Sequence, residues 1–121
     1  MAETMTKSSI HRGDIVWVDF SNFNGNLQNG VRPALILQND KGNIYSPTVI
    51  LCTLTTKMKK LNQPTHILAT KENTGLPKDS IIQLENIQTV NKFQIVSIIG
   101  KINNKVLSKV DDAIRLSLAL V

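Results

Sequence analysis

The chain passes from a polar loop into an apolar strand within one stretch, Gly25-Asn26-Leu27-Gln28-Asn29-Gly30-Val31-Arg32-Pro33-Ala34-Leu35-Ile36-Leu37-Gln38-Asn39-Asp40. Gly25 and Gly30 supply backbone freedom to the first half, whereas residues 34–37 form an apolar run of the length of a buried strand. Pro33 fixes its own φ angle, biases Arg32 toward an extended conformation, and is expected to be the first residue of the strand. The stretch therefore predicts a guanidinium held at the mouth of a rigid strand, where it can bind an anion such as a phosphate.

The residues that follow predict a β-hairpin. We expect strands over 34–38 and 48–54, joined by a turn-rich connection over 39–47. If Gln38 lies opposite Thr48, antiparallel pairing brings Arg32 to the neighbourhood of Leu54 and Thr55. Cross-strand Cβ atoms lie about 4.5–8 Å apart, so the guanidinium would be within reach of the Thr55 hydroxyl.

The rest of the chain predicts more strands and one terminal helix. Segments rich in β-branched and aromatic residues predict strands over 14–20, 65–69, 80–89 and 94–102, and loops over 21–31, 56–64 and 71–79. An amphipathic helix is expected after Asn103 or Asn104, either of which can cap it. Its apolar positions recur at three- and four-residue steps and are Leu107, Val110, Ile114, Leu118 and Val121. This order predicts a mainly β fold of the α+β type: a small SH3-like antiparallel β-barrel with a C-terminal helix.

The domain boundaries follow from composition. Residues 1–11 are expected to form a disordered N-terminal tail and residues 12–121 a single domain, long enough for a hydrophobic core. Several strands carry continuous apolar runs, which are typical of strands covered on both faces. A partner subunit could provide the second cover.

Charge and cysteine content narrow the class of protein. Lys and Arg number 14 against 9 Asp and Glu, giving a net charge of +5 that favours a polyanionic partner, with nucleic acid first. Cys52 is the single cysteine, so an internal disulfide is impossible, and a buried apolar role is expected for it. The first residues lack the apolar core of a signal peptide, and no stretch approaches the ~20 apolar residues of a membrane span. We expect a cytoplasmic protein that does not contact membranes.

The distribution of chemical groups disfavours a metal centre and favours RNA chemistry. The two histidines, His11 and His66, lack metal-ligand spacing, and no phosphate-binding glycine loop is present, so neither metal nor cofactor is expected. RNA carries its own nucleophile in the 2′-hydroxyl, and an enzyme need only align it and stabilise the charge on the phosphorane. Arg32 and Thr55 suit that task, although a surface salt bridge and a strand-end threonine are the alternatives. His66 is expected to have a structural role or to lie at the edge of the substrate site, and not to act in catalysis directly.

Candidate RNA-binding residues lie in the loops and have structural alternatives. Phe23 could stack on a base or serve as a packing anchor. The polar candidates could read base edges or phosphates, or they could satisfy loop backbone and solvate the surface. They are Asn26, Gln28, Asn39, Lys57 and Asn86.

Eight short segments carry a family resemblance: Arg12-Gly13-Asp14-Ile15-Val16, Gln28-Asn29-Gly30-Val31-Arg32-Pro33, Gln38-Asn39-Asp40, Ser46-Pro47-Thr48, Leu54-Thr55-Thr56, Pro64-Thr65-His66, Leu84-Glu85-Asn86-Ile87 and Leu116-Ser117-Leu118-Ala119-Leu120. In order and spacing they resemble the MazF/PemK family of toxin endoribonucleases. The resemblance implies a CcdB/PemK-like fold, a homodimer, and cleavage of single-stranded RNA at short sequences without metal. It also implies 2′,3′-cyclic phosphate and 5′-hydroxyl ends, an antitoxin that covers the RNA groove, and catalytic roles for Arg32 and Thr55.

Two alternative functions remain open, and a departure from the family pattern bears on the first. Asn26 and Leu27 stand where many members have serine and glutamate, which leaves open an RNA-binding module without catalysis. A second alternative is a CcdB-like toxin that poisons DNA gyrase by protein contact. Proteins that resemble this group present a C-terminal tryptophan to their target. The single tryptophan of this chain, Trp17, lies in the first predicted strand, which disfavours this alternative.

Overall fold

Six antiparallel strands and a C-terminal helix make up most of the fold, as predicted. The computed structural model describes residues 9–21, 30–58 and 61–120. The strands are β1 (Asp14–Asp19), β2 (Val31–Ile36), β3 (Thr48–Thr55), β4 (His66–Ala69), β5 (Ser80–Asn91) and β6 (Ile95–Lys101). The helices are α1 (Asp40–Tyr45), α2 (Lys71–Thr74) and α3 (Asn104–Ser117), with a 3-10 turn at Lys92–Gln94. The strands form one sheet in the spatial order β4-β5-β3-β2-β1-β6.

Alternating side chains of β1, β2 and β3 form two hydrophobic clusters on opposite faces of the sheet. The first cluster lies under α3 and includes Ile15, Leu35, Cys52, Leu54, Val106, Val110 and Ala113. The second cluster includes Ile10, Val16, Val18, Ala34, Ile36, Val49, Leu51, Val90 and Ile95. Because Val90 and Ile95 come from β5 and β6 of the same chain, the second face is covered without the partner subunit that the apolar runs suggested.

The connection after β4 packs against the other edge of the sheet. Gly75 ends α2 in the left-handed region, with a φ of 81°. A Cβ atom on Gly100 of β6 would collide with the carbonyl oxygen of Thr74, so this close approach requires glycine. The contact between residues 74–75 and 99–100 brings the two edges of the sheet together, and the sheet curls toward the predicted barrel.

Helix α3 begins where the sequence predicts, but two shorter helices lie in segments predicted as turn and loop. The Oδ1 atom of Asn103 accepts the N–H of Val106 at 2.9 Å, which caps α3. Helix α1 occupies the predicted turn-rich connection, and Asn39 caps it by accepting the N–H of Gly42 at 2.8 Å. Helix α2 occupies part of the predicted loop over 71–79. Both helices are too short to show an apolar period, which explains the error.

Two predicted boundaries also differ from the structure. Strand β2 begins at Val31, so Pro33 is its third residue and not its first. Pairing of β2 with β3 begins only at Ala34. At Pro33, β2 is therefore paired with β1 alone, and the missing N–H of proline is tolerated there. Ile10 is 2% exposed and belongs to the second cluster, although the domain was expected to begin at residue 12. Residues 1–8 lie outside the described part of the chain.

Two further findings concern burial and the membrane. Cys52 is fully buried in the first cluster, and burial raises the pKa of its thiol, which agrees with the apolar role expected for it. Within residues 9–21, 30–58 and 61–120, no helix is both long enough and apolar enough to cross a membrane.

Candidate active site

The register of β2 and β3 aligns Arg32 with Thr55 just beyond the last pair of the two strands. Their paired residues are Ala34 with Thr53, Leu35 with Cys52, and Ile36 with Leu51. Toward Arg32 the pairing ends at Ala34, and extending its register by two residues aligns Arg32 with Thr55, within the neighbourhood that the sequence predicted. On its other side, Arg32 is paired with Val18 of β1.

The predicted pairing of Gln38 with Thr48 is wrong. The backbone N–H groups of Leu37 and Gln38 both donate to the carbonyl of Ile50, at 3.0 and 3.1 Å, so Gln38 lies beside Ile50. Only the side chain of Gln38 reaches Thr48, donating to its carbonyl oxygen at 3.0 Å. The regular pairing of β2 with β3 therefore ends at this irregularity.

Arg32 presents an exposed positive charge. It has no hydrogen bond or ion pair with any residue in the described ranges, so the surface salt bridge considered as an alternative is not formed there. Its neighbours farther along the same face of β2, Ala34 and Ile36, are fully buried. The guanidinium therefore lies where a buried apolar surface opens to solvent, and no described residue occupies its donors, which can bind an anion.

The Thr55 hydroxyl is oriented by its own loop. Its Oγ1 atom accepts the backbone N–H of Lys57 at 3.3 Å. An oxygen that accepts this bond still has its proton available, so the hydroxyl can donate to a bound phosphate oxygen. The Lys57 side chain is exposed close to this hydroxyl and can add positive charge at the same end of β3.

Strand β5 bulges beside this end of β3. Cys52 is paired with Ile87 and Leu54 with Ile82, so residues 83–86 lie opposite the single residue Thr53. The bulge exposes Glu85 and Asn86. It thus brings Asn86 to the same part of the sheet as Thr55.

A buried histidine is bonded to the bulge. His66 of β4 lies 2.6 Å from an oxygen of Glu85, and its side chain is only 2% exposed. The Thr65 hydroxyl donates to the other carboxylate oxygen at 3.0 Å. Burial opposes ionisation of Glu85, but the hydrogen bonds from His66, the backbone and Thr65 outweigh it and lower the pKa of the carboxyl group. The expected structural role of His66 is consistent with this arrangement.

We expect the contacts of Glu85 to stabilise the protein only while its carboxyl group is ionised. A pKa lowered in the folded state contributes stability above the unfolded value of about 4.3, and this is lost as pH falls through the folded value. Urea unfolding should therefore show Glu85→Gln less stable than wild type at pH 7, with the difference shrinking below about pH 4. Glu72→Gln, which changes an exposed residue of α2, should follow the wild-type curve. A loss of stability in Glu85→Gln that is equally large at pH 7 and below about pH 4 would contradict this account.

Glu85 is a residue that the sequence did not single out. It lies 19 residues from His66 in sequence, and only the pairing of β4 with β5 brings the two together. The local spacing carries no signal for this pair.

The remaining predicted RNA-binding residues lie either far from Arg32 or outside the described part of the chain. Asn39 lies beyond the opposite end of β2 from Arg32, about 20 Å away at ~3.3 Å per residue, and its side-chain oxygen caps α1. Phe23, Asn26 and Gln28 lie outside the described residues. In the part of the chain that the structure describes, no group of three or more His, Cys, Asp or Glu side chains could hold a metal ion.

Known proteins match both the sequence and this architecture. Residues 11–118 match the family model described as PemK-like, MazF-like toxin of type II toxin-antitoxin system. The chain is 39% identical over 112 residues to endoribonuclease EndoA of Bacillus subtilis strain 168, covering 93% of this chain and 97% of that protein.

Solved structures show the same fold at lower identity. An endoribonuclease in complex with its cognate antitoxin, from a mycobacterial species, superposes with a TM-score of 0.72 at 22% identity, over 93% of this chain and 95% of that one. A MazE-MazF structure from Deinococcus radiodurans gives a TM-score of 0.77 at 19% identity, over 93% and 97% of the two chains. With the family match along nearly the whole chain, these comparisons confirm the resemblance found in the sequence: the chain belongs to the PemK/MazF family of toxins of type II toxin-antitoxin systems.

Proposed function

We propose that this protein is a sequence-specific endoribonuclease toxin that cleaves single-stranded mRNA in the cytoplasm without a metal ion. The observation that carries the proposal is the exposed guanidinium of Arg32, which has no partner among the described residues and which the extended register of β2 and β3 aligns with Thr55. The 39% identity to EndoA supports the same activity. The products are a 2′,3′-cyclic phosphate and a 5′-hydroxyl, because the nucleophile is the RNA 2′-hydroxyl.

Arg32 and Thr55 have different roles in the proposed mechanism. The 2′-hydroxyl loses its proton to water as its oxygen attacks phosphorus. The bond from phosphorus to the 5′-oxygen breaks, and the departing oxygen takes a proton from water. In the phosphorane between these steps, negative charge accumulates on the non-bridging phosphate oxygens. The Arg32 guanidinium neutralises this charge with a planar fork of donors. Thr55 donates one hydrogen bond to the same oxygens. The high pKa of arginine side chains suits charge stabilisation better than proton abstraction at neutral pH.

One experiment separates this function from its alternatives. The protein is incubated with a long natural RNA and excess EDTA, and new ends are mapped by sequencing. Discrete cuts bearing 5′-hydroxyls support the endoribonuclease. Intact RNA that stays bound indicates a binding module without catalysis, and intact unbound RNA indicates a protein target such as gyrase.

A cognate antitoxin and a second copy of the chain are the proposed protein partners. The matched mycobacterial endoribonuclease was solved with its cognate antitoxin, and the matched Deinococcus MazF with MazE, which supports an antitoxin for this chain as well. We propose that the antitoxin covers the surface around Arg32 and so blocks RNA.

The surface of α3 supports a homodimer. Its C-terminal end exposes leucines to solvent, with Leu116 57% exposed and Leu118 55% exposed. Beside them, a groove of about 270 Å³ lies between α3 and the β4 region; it is lined by Pro64, Ile67, Lys109, Asp112, Ala113 and Leu116. A two-fold interface is self-complementary, so this groove and the exposed leucines can pack against the same surface of a second copy.

We expect Leu116→Glu to convert the protein to a monomer. The substitution places a charge in an apolar contact, where its desolvation is unfavourable. Light scattering after size exclusion should show the mass falling from two chains to one. Ile44→Glu, which changes a leucine-sized residue that is 63% exposed on α1, should leave the dimer intact. A dimer that survives Leu116→Glu would rule out this groove as the interface, and a monomeric wild type would rule out the homodimer.

A further inference from the structure

Thr53 lies on the same face of the sheet as Arg32 and Thr55. It is paired with Ala34, which belongs to the second cluster, whereas its neighbours Cys52 and Leu54 belong to the first. Side chains alternate between faces along a strand, so Thr53 shares its face with residues 32 and 55. It lies about 6.6 Å along β3 from Thr55, at ~3.3 Å per residue.

The Thr53 hydroxyl has no partner within the described ranges. No hydrogen bond links it to another described residue, and the same ranges contain no buried side-chain polar atom that lacks a partner. Thr53 is half-buried, so part of the residue is exposed to solvent. The bulge of β5 leaves residues 83–86 opposite Thr53, so no regular ladder partner lies beside it on that side.

Folding alone does not explain a hydroxyl at this position. Its neighbours on the same face, Ala34 and Leu51, are fully buried and apolar. Valine has the same shape as threonine and a high strand propensity, and it would extend the second cluster without a polar atom. A polar group that has no hydrogen bond to a described residue, and that shares a face with two candidate catalytic residues, is placed to bind a substrate.

We propose that the Thr53 hydroxyl binds the sugar–phosphate backbone of the nucleotide next to the cleaved bond. The inference rests on the proposed endoribonuclease function and extends the site along β3. With the reacting phosphate held between Arg32 and Thr55, an RNA strand that follows β3 brings its adjacent backbone unit to Thr53. A backbone contact positions the RNA whatever its sequence, because phosphate and ribose oxygens are common to all nucleotides.

The test compares Thr53→Val with wild type on one defined RNA substrate. We expect KM to rise about 3- to 10-fold, the effect of losing one neutral hydrogen bond, with kcat changed less than about twofold. Thermal unfolding should show Thr53→Val at least as stable as wild type, because an unpaired polar atom is replaced by an apolar one. The cleaved sequence should be unchanged. Thr53→Ser, which keeps the hydroxyl, should keep the wild-type KM.

A matched control and the contrary outcomes complete the test. Thr89→Val makes the same change on β5, at an exposed position opposite Ile50, and should leave KM unchanged. If wild type cuts RNA but Thr53→Val has an unchanged KM, the inference is wrong and the proposed function stands. A changed cleavage sequence, indicating a base contact, or a loss of stability in Thr53→Val also overturns it. A wild type that leaves RNA intact overturns both.

Discussion

Arg32→Ala is expected to abolish RNA cleavage while leaving the fold unchanged. The substitution removes the positive charge that stabilises the phosphorane, and loss of an arginine in a comparable role lowers phosphoryl-transfer rates by about 10³- to 10⁵-fold. Because the side chain is exposed and unpaired within the described ranges, the free energy of unfolding should change by less than about 0.5 kcal/mol. Single-turnover cleavage and urea unfolding measure the two quantities separately.

Two substitutions of positively charged residues serve as controls for this prediction. Arg32→Lys keeps the charge but loses the planar fork, so its rate should fall between those of wild type and Arg32→Ala. Lys105→Ala removes a positive charge from the first turn of α3 and should cut RNA at the wild-type rate. If Arg32→Ala still cleaves at close to the wild-type rate, Arg32 has no part in the mechanism.

Thr55→Val is expected to reduce cleavage by about 10²-fold, a smaller loss than at Arg32. It removes one hydroxyl donor to the phosphate oxygens and preserves the branched shape of the side chain. The Lys57 N–H that donates to Thr55 at 3.3 Å is on an exposed residue, so water can replace this bond and stability should be kept. Thr55→Ser keeps the donor and should recover most of the single-turnover rate. A serine variant as slow as the valine variant would show that the hydroxyl is not the important group.

The sequence predicted the long elements well and the short ones poorly. Helix α3 is a long amphipathic helix with an asparagine cap, and the strands are rich in β-branched residues, so local patterns were sufficient for both. Helices α1 and α2 are too short to show a period. Their positions depend on caps and on contacts with the rest of the fold.

The alignment of Arg32 with Thr55 was predictable because a hairpin joins their two strands. Arg32 and Thr55 come from β2 and β3, which are consecutive in the chain, and any register near the correct one places them close together. The observed register differs by one residue from the predicted one, and it becomes irregular at Ile50, whose carbonyl accepts two successive N–H groups. Such an irregularity depends on backbone geometry at the turn, for which the sequence offers no direct signal.

The sequence by itself determined the mainly β fold, the terminal helix, the membership of the family, and the candidacy of Arg32 and Thr55. These depend on local periodicity, on short motifs and on one hairpin. The tertiary structure alone decided that Glu85 meets His66 and that Thr53 shares a face with Arg32. Both facts depend on strand register and on the bulge of β5, which arise from packing between residues far apart in the chain.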